Sequence, residues 1–162
     1  MIKIFTWVII SSFSLMLSAQ QVTVVNFKAF EPQLHKQNDT IYMVHFWATW
    51  CIPCVKEMPL IMKDTEVFSD EKFKLVLVSF DFTLDIDTKL KPFLKNHHIS
   101  QRVFVMDDPD YNSWINKVDT TWSGALPATY LYSKNSKEFY EGSFNENELE
   151  GIINTKLKKL KQ

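Results

Sequence analysis

Seven residues, Ile41-Tyr-Met-Val-His-Phe-Trp47, run with almost no polar interruption toward a cysteine pair, Cys51-Ile-Pro-Cys54. A near-continuous apolar run marks a strand buried on both faces, and such strands sit in sheets with helices on either side. Ile52 to Phe68 then reads as a helix, so the cysteines fall where a buried strand meets a helix N-terminus. Unpaired N–H groups and the helix dipole at that place stabilise a thiolate on Cys51. The thiolate is the attacking species in disulfide exchange. Pro53 suits the first helical turn, where its missing N–H costs nothing. Cys54 follows three residues later on the same helix face, placed to resolve a mixed disulfide formed by Cys51.

These are the chain's 2 cysteines. A structural bridge stabilises most when it closes a long loop, and this one closes almost none. The spacing therefore fits a redox couple better than a staple or a pair of metal-binding thiols.

The rest of the chain alternates strands and helices. Val22 to Phe27 is β-rich, and residues 28 to 40 look polar and turn-like. Lys74 to Phe80 repeats the buried-strand pattern, and Thr88 to His97 reads as a helix. Arg102 to Met106 is a short strand. A helix is expected from Asp108-Pro109 through Val118, with Asp108 as its N-cap. Ala128 to Tyr132 and Glu138 to Glu141 form a hairpin, and Asn145 to Lys161 a last amphipathic helix. This order predicts one α/β domain: a central mixed parallel and antiparallel sheet flanked by helices on both faces. The basic run from Lys156 to Lys161 reads as a solvated helix end. Phe46, Trp47, Phe80 and Tyr130 read as core rather than as a ligand platform.

With 162 residues, a net charge of −1 and 46% hydrophobic residues, the chain suits a single folded domain and gives no electrostatic reason to bind nucleic acid. Residues 1–19 stand apart. Lys3 precedes an apolar stretch from Ile4 to Leu17, and Ser18-Ala19 supplies the small residues of a cleavage site. The stretch is shorter than the roughly 20 residues a bilayer span needs. It reads as a secretory signal peptide, with an uncleaved anchor as the alternative, and leaves 20–162 as the domain. Either way the folded part is expected outside the cytoplasm, in the periplasm or its equivalent.

The block from Val44 to Pro59, His-Phe-Trp-Ala-Thr-Trp-Cys-Ile-Pro-Cys-Val-Lys-Glu-Met-Pro after its first valine, resembles the active-site block of the TlpA/ResA-like thioredoxin proteins. These are bacterial extracytoplasmic thiol–disulfide oxidoreductases, many tied to cytochrome c maturation. The resemblance implies a thioredoxin-like fold, with a sheet of four or five strands. It makes Cys51 and Cys54 the catalytic pair and Glu57 a carboxylate kept near the cysteines. It also makes Pro127 a cis-proline beside the pair, with Trp50, Ile52, Pro53, Leu126 and Pro127 meeting the substrate. Pro59 matches the proline that kinks the active-site helix. His45 departs from the pattern, since the family commonly has asparagine and thioredoxins an aspartate at that place. Glu57 and His45 thus compete as proton relay to Cys54, with the histidine otherwise a core support. Burial should raise the glutamate's pKa and lower the histidine's.

Between the cysteines, Ile52-Pro53 lacks the histidine with which strongly oxidising relatives stabilise their reduced form. That favours electron donation, and so a reductase of protein disulfides, resupplied by a thiol donor in the membrane. The chain is expected to act as a monomer, without a cofactor or metal. The rival within the same chemistry is a general oxidase or isomerase of secreted proteins. A copper-binding thiol chaperone is the rival from another class. It would want a third soft or imidazole ligand, for which the chain offers only His45, Met58, Met62 and Met106.

Overall fold

The computed structural model describes residues 21–69 and 72–160. The signal segment expected over residues 1–19 lies outside them. Six strands form one sheet: β1 (Val22–Val25), β2 (Ile41–Trp47), β3 (Phe73–Ser79), β4 (Val103–Met106), β5 (Ala128–Ser133) and β6 (Ser136–Glu141), in the order β1-β4-β3-β2-β5-β6. β1, β4, β3 and β2 run parallel, and β5 and β6 add the antiparallel half. The sheet is one strand wider than the four or five the resemblance implies, because β1 pairs with β4 at the far edge. β2 lies near the middle, bonded to β3 on one side and to β5 on the other. That explains its apolar character on both faces.

Side chains along β2 alternate between the two faces, as pleating requires. Ile41, Met43 and Trp47 pack against α2 (Ile52–Glu66), α3 (Lys91–Asn96) and α5 (Glu148–Leu160) through Met58, Ile61, Leu94, Leu149 and Ile153. Val44 and Phe46 pack on the other face against Phe27, Phe30, Leu34, Trp114, Val118 and Trp122. α2 carries Pro59 within its length, and Cys54, Met58 and Ile61 form its buried stripe.

Three departures from the sequence reading have physical causes. Residues 28 to 40 are not all turn. Phe27–Phe30 forms a helical turn, α1, capped by the Asn26 side chain, and Glu31–Leu34 continues as a 3-10 turn. Phe27, Phe30 and Leu34 recur at helical spacing and are buried, although the polar residues between them hide the pattern. The helix expected over Asp108 to Val118 is replaced by a 3-10 turn at Tyr111–Ser113 and the single turn α4 (Ile115–Val118). Asp108 does cap a helix, but a distant one: its carboxylate accepts the Phe27 N–H at 3.1 Å, at the start of α1. The basic end of α5 is not wholly solvated, because Lys156 is buried and pairs with Glu138 at 2.8 Å.

The burial of α1 is testable. Phe30 is 1% exposed and meets Phe46 and Phe104 edge-on at 6.5 and 5.4 Å. Phe30→Ala should cost about 3–5 kcal/mol in urea denaturation, and Asn26→Ala about 1 kcal/mol. A surface loop would show less than about 0.5 kcal/mol for either.

Candidate active site

β2 ends at Trp47, and the chain turns through Ala48 to Trp50 before α2 begins. Cys51 is the N-cap of that helix, with extended backbone (φ −85°, ψ 101°), and its Sγ accepts the Cys54 N–H at 3.3 Å. Cys51 and Cys54 are joined in a disulfide, with Cα atoms 5.3 Å apart. The pair's exposure is confined to Cys51, at 6% against 0% for Cys54. Leu126 packs over this end of the core, so Cys51 is more covered than its place at a helix start suggests.

Around the disulfide the structure brings together most of the residues expected to meet a substrate. Trp50, Ile52, Pro53 and Leu126 line one groove with Cys51, of about 710 Å³. Trp50 and Ile52 are well exposed, at 54% and 69%. The Leu126–Pro127 peptide is cis. Pro127 itself is buried, and its carbonyl accepts the Gly142 N–H at 2.9 Å. Phe80, expected in the core, is only partly buried and lines the same groove, because β3 has ended one residue earlier.

Glu57 and His45 do not line the groove; both are buried behind it. Glu57 is 5% exposed, one helical turn beyond Cys54. Its Oε1 accepts the Phe144 N–H at 2.8 Å, in the loop before α5, while Oε2 has no hydrogen-bond partner among the described residues. Burial raises its pKa to about 7, against the opposing pull of the Phe144 N–H and the nearby Ser143 side chain. His45 is fully buried on β2, on the face that carries α2. Its Nδ1 lies 2.9 Å from Thr129 Oγ1 on β5, and Nε2 is unpartnered among the described residues. Burial pushes its pKa down to about 3, so the ring is neutral at working pH. Both shifts take the direction that burial dictates.

Sequence reasoning missed Asp81. The two carboxylates that follow it in the chain, Asp85 and Asp87, are each paired with a lysine, Lys89 and Lys91. Asp81 is 2% exposed. Its carboxylate accepts the Thr49 N–H at 3.2 and 3.1 Å, the Thr49 hydroxyl, and the Ser79 hydroxyl at 2.6 Å. Beside it, Phe80 N–H donates to Trp47 C=O at 2.8 Å, and Trp50 Nε1–H to Phe80 C=O at 3.3 Å. The exits of β2 and β3 are thereby bolted together immediately before Cys51. The available signal was position: a lone carboxylate just past a buried parallel strand, at the edge where α/β sheets build their sites.

Comparison with known proteins agrees with this geometry. The family described as thioredoxin matches residues 21–92. The thiol–disulfide oxidoreductase ResA of Oceanobacillus iheyensis is 29% identical over 114 residues, covering 69% of this chain and 55% of the relative. The thioredoxin-like protein YneN of Bacillus subtilis is 24% identical over 110 residues, covering 67% and 60%. The chain thus spans a little over half the length of these curated relatives. Among solved structures, a thioredoxin-family thiol:disulfide interchange protein from Chlorobium tepidum superposes with a TM-score of 0.61 at 21% identity, over 78% of this chain and 84% of that one. A thioredoxin-related protein from Neisseria meningitidis gives 0.60 at 23%, over 80% and 89%. At these identities the structural matches establish the fold.

Two measurements probe the site's construction. Asp81→Ala leaves the buried Ser79 hydroxyl and the half-buried Thr49 donors without their acceptor and should cost about 1–3 kcal/mol, read from urea midpoints. A loss below about 0.5 kcal/mol would mean the clamp is dispensable. The buried pair also sets opposite pH dependences. His45, lowered to about 3, takes up a proton on unfolding, so its contribution to stability falls as pH drops below 6.5. Glu57, raised to about 7, releases a proton on unfolding above 4.5, so its contribution falls as pH rises from 4.5 to about 7. Stability profiles should therefore flatten on the acid side in His45→Asn and toward neutrality in Glu57→Gln. Unchanged profiles would contradict these protonation states.

Proposed function

We propose that this chain, a thioredoxin-fold protein with ResA-type relatives, is an extracytoplasmic oxidoreductase that reduces disulfides in other proteins through Cys51 and Cys54. The observation that carries the reading is the disulfide at the N-terminus of α2, with its exposure confined to Cys51 and a groove opening beside it. In the reduced protein, the Cys51 thiolate is stabilised by the start of the helix and attacks a partner disulfide. One partner thiolate leaves. The Cys54 thiolate then attacks Sγ of Cys51, releasing the second partner thiol and restoring the intramolecular disulfide. Two electrons pass from the pair to the partner.

Cys54 is fully buried, and burial raises a thiol's pKa, so its deprotonation needs a base. Glu57 is the proposed acceptor. It lies one turn along the same helix, one of its oxygens has no partner among the described residues, and its pKa is near 7, where a general base works best. His45, neutral and bonded to Thr129, supports the core beneath the helix. Trp50, Ile52, Pro53, Leu126 and Pro127 receive the partner chain.

The apolar Ile52-Pro53 between the cysteines supports electron donation. The apolar segment over residues 4–17 supports export, with the domain freed by cleavage or held by an uncleaved anchor. A membrane thiol donor then re-reduces the pair, and the domain acts as a monomer. Apocytochrome disulfides awaiting haem attachment are the substrates the resemblance favours.

Trapping tests the two-step scheme. Cys54→Ser retains the attacking sulfur and loses the resolving one, so mixed disulfides with partners should accumulate in the cell envelope. Cys51→Ser should trap none. Equal trapping by both variants contradicts the assignment of roles. In a stopped-flow reduction of insulin, Glu57→Gln should slow the reaction by up to about 10²-fold, and His45→Asn should slow it less. The reverse order would move the relay to the histidine.

A further inference from the structure

The groove beside Cys51 is unusual in what builds its far wall. Phe80, Tyr111, Trp114 and Trp122 come from three separate segments and form one aromatic cluster, with Phe80 and Tyr111 at its surface and Trp114 and Trp122 buried behind them. Phe80 lies 5.7 Å from Tyr111, 6.0 Å from Trp114 and 6.2 Å from Trp122, centre to centre. The polar atoms of the two indoles are already bonded. Trp122 Nε1–H donates to the Ala125 carbonyl at 3.0 Å and Trp114 Nε1–H to the Asp108 carbonyl at 3.4 Å. The two indoles therefore offer the groove only apolar atoms, and among the described residues none that lines it carries a charge.

The surroundings extend this character. Seven large apolar residues are exposed among the described residues, and five of them, Trp50, Ile52, Phe82, Leu84 and Tyr111, stand in the segments that follow β2, β3 and β4. Because those strands are parallel, the five share one edge of the sheet, and exposed apolar residues gathered at one edge mark a contact surface. The rim is acidic. Asp110 precedes Tyr111, and the Glu141 carboxylate holds the Ser123 N–H at 2.7 Å and the Ser123 hydroxyl at 2.5 Å.

We propose that this groove selects substrates: it takes an extended polypeptide segment with a large aromatic side chain beside its reactive cysteine and no acidic residue next to it. The inference rests on the oxidoreductase reading and deepens it. The groove is continuous with the disulfide, so any chain whose sulfur meets Cys51 lays its neighbouring residues along this wall. A small disulfide would leave most of about 710 Å³ unfilled. A second ring packs edge-on or offset against the existing ones, with the apolar gain that burying an aromatic side chain brings. Asp110 and Glu141 disfavour an anionic neighbour.

The test uses short capped peptides with one cysteine held as a mixed disulfide with thionitrobenzoate. The reduced protein attacks the peptide sulfur and expels the coloured thiolate, the better leaving group; Cys54 then displaces the peptide thiol from Cys51. Peptides carry Phe, Gly or Glu on either side of the cysteine. The Phe peptide should react about tenfold faster than the Gly peptide, and the Glu peptide more slowly than both. Tyr111→Ala, at a residue 41% exposed, should bring the Phe-to-Gly ratio below about threefold. Asn112→Glu, which puts a charge into the lining, should lower the same ratio. Equal rates for Phe and Gly, or a ratio untouched by both variants, would overturn the selectivity while leaving the redox activity intact. Failure to react with any peptide would overturn the oxidoreductase reading with it.

Discussion

Asp81 ties two strand ends together, and the position of Cys51 depends on that tie. A disulfide-exchange site needs a sulfur held at a helix N-terminus and at the protein surface at once. β2 is an inner strand, bonded on both sides, and it delivers the chain to the sheet edge. Beyond Trp47 no ladder holds it. The Asp81 carboxylate takes over there, gripping the backbone and the side chain of Thr49, and Ser79 anchors the carboxylate in turn. The Ala48 carbonyl accepts the Cys51 N–H at 3.2 Å, so the geometry passes to the first sulfur within three residues. A buried carboxylate without such donors would destabilise the fold; with them it holds the loop in one position.

The two buried titratable groups near the pair follow the same rule with different outcomes. Glu57 keeps one oxygen bonded to the loop before α5 and one without a partner among the described residues, and burial raises its pKa to about 7. His45 is bonded sideways to Thr129 within the sheet, and burial leaves it uncharged. One environment favours proton exchange near pH 7 and the other suppresses it. The two groups thus differ in charge behaviour although both are buried.

Legibility in the sequence followed the range of the interactions. β2, the helix start and the Cys51–Cys54 pair could be read because their signals are local: an apolar run, a proline in the first turn, a three-residue spacing. α1 was hidden because Phe27, Phe30 and Leu34 are spread over one α and one 3-10 turn, with Pro32 among polar neighbours. Asp108 was recognisable as a cap, yet the helix it serves begins 81 residues earlier in the chain. Asp81 clamps a residue 32 positions away, and no local pattern announces that. The aromatic wall was equally hidden, since Phe80, Tyr111 and Trp122 become neighbours only through the crossing of three loops. The mirror case is Lys156, whose basic neighbourhood suggested solvent and whose partner, Glu138, sits on β6.

The claim that this pair gives electrons to other proteins is tested most directly by its reduction potential, measured by equilibrating the Cys51–Cys54 couple in glutathione buffers. Nothing between the cysteines stabilises the reduced form beyond the helix start, so the account predicts a value at or below about −230 mV, toward that of thioredoxin. A value near about −120 mV, the range of strongly oxidising proteins, would contradict it and reverse the direction of electron flow.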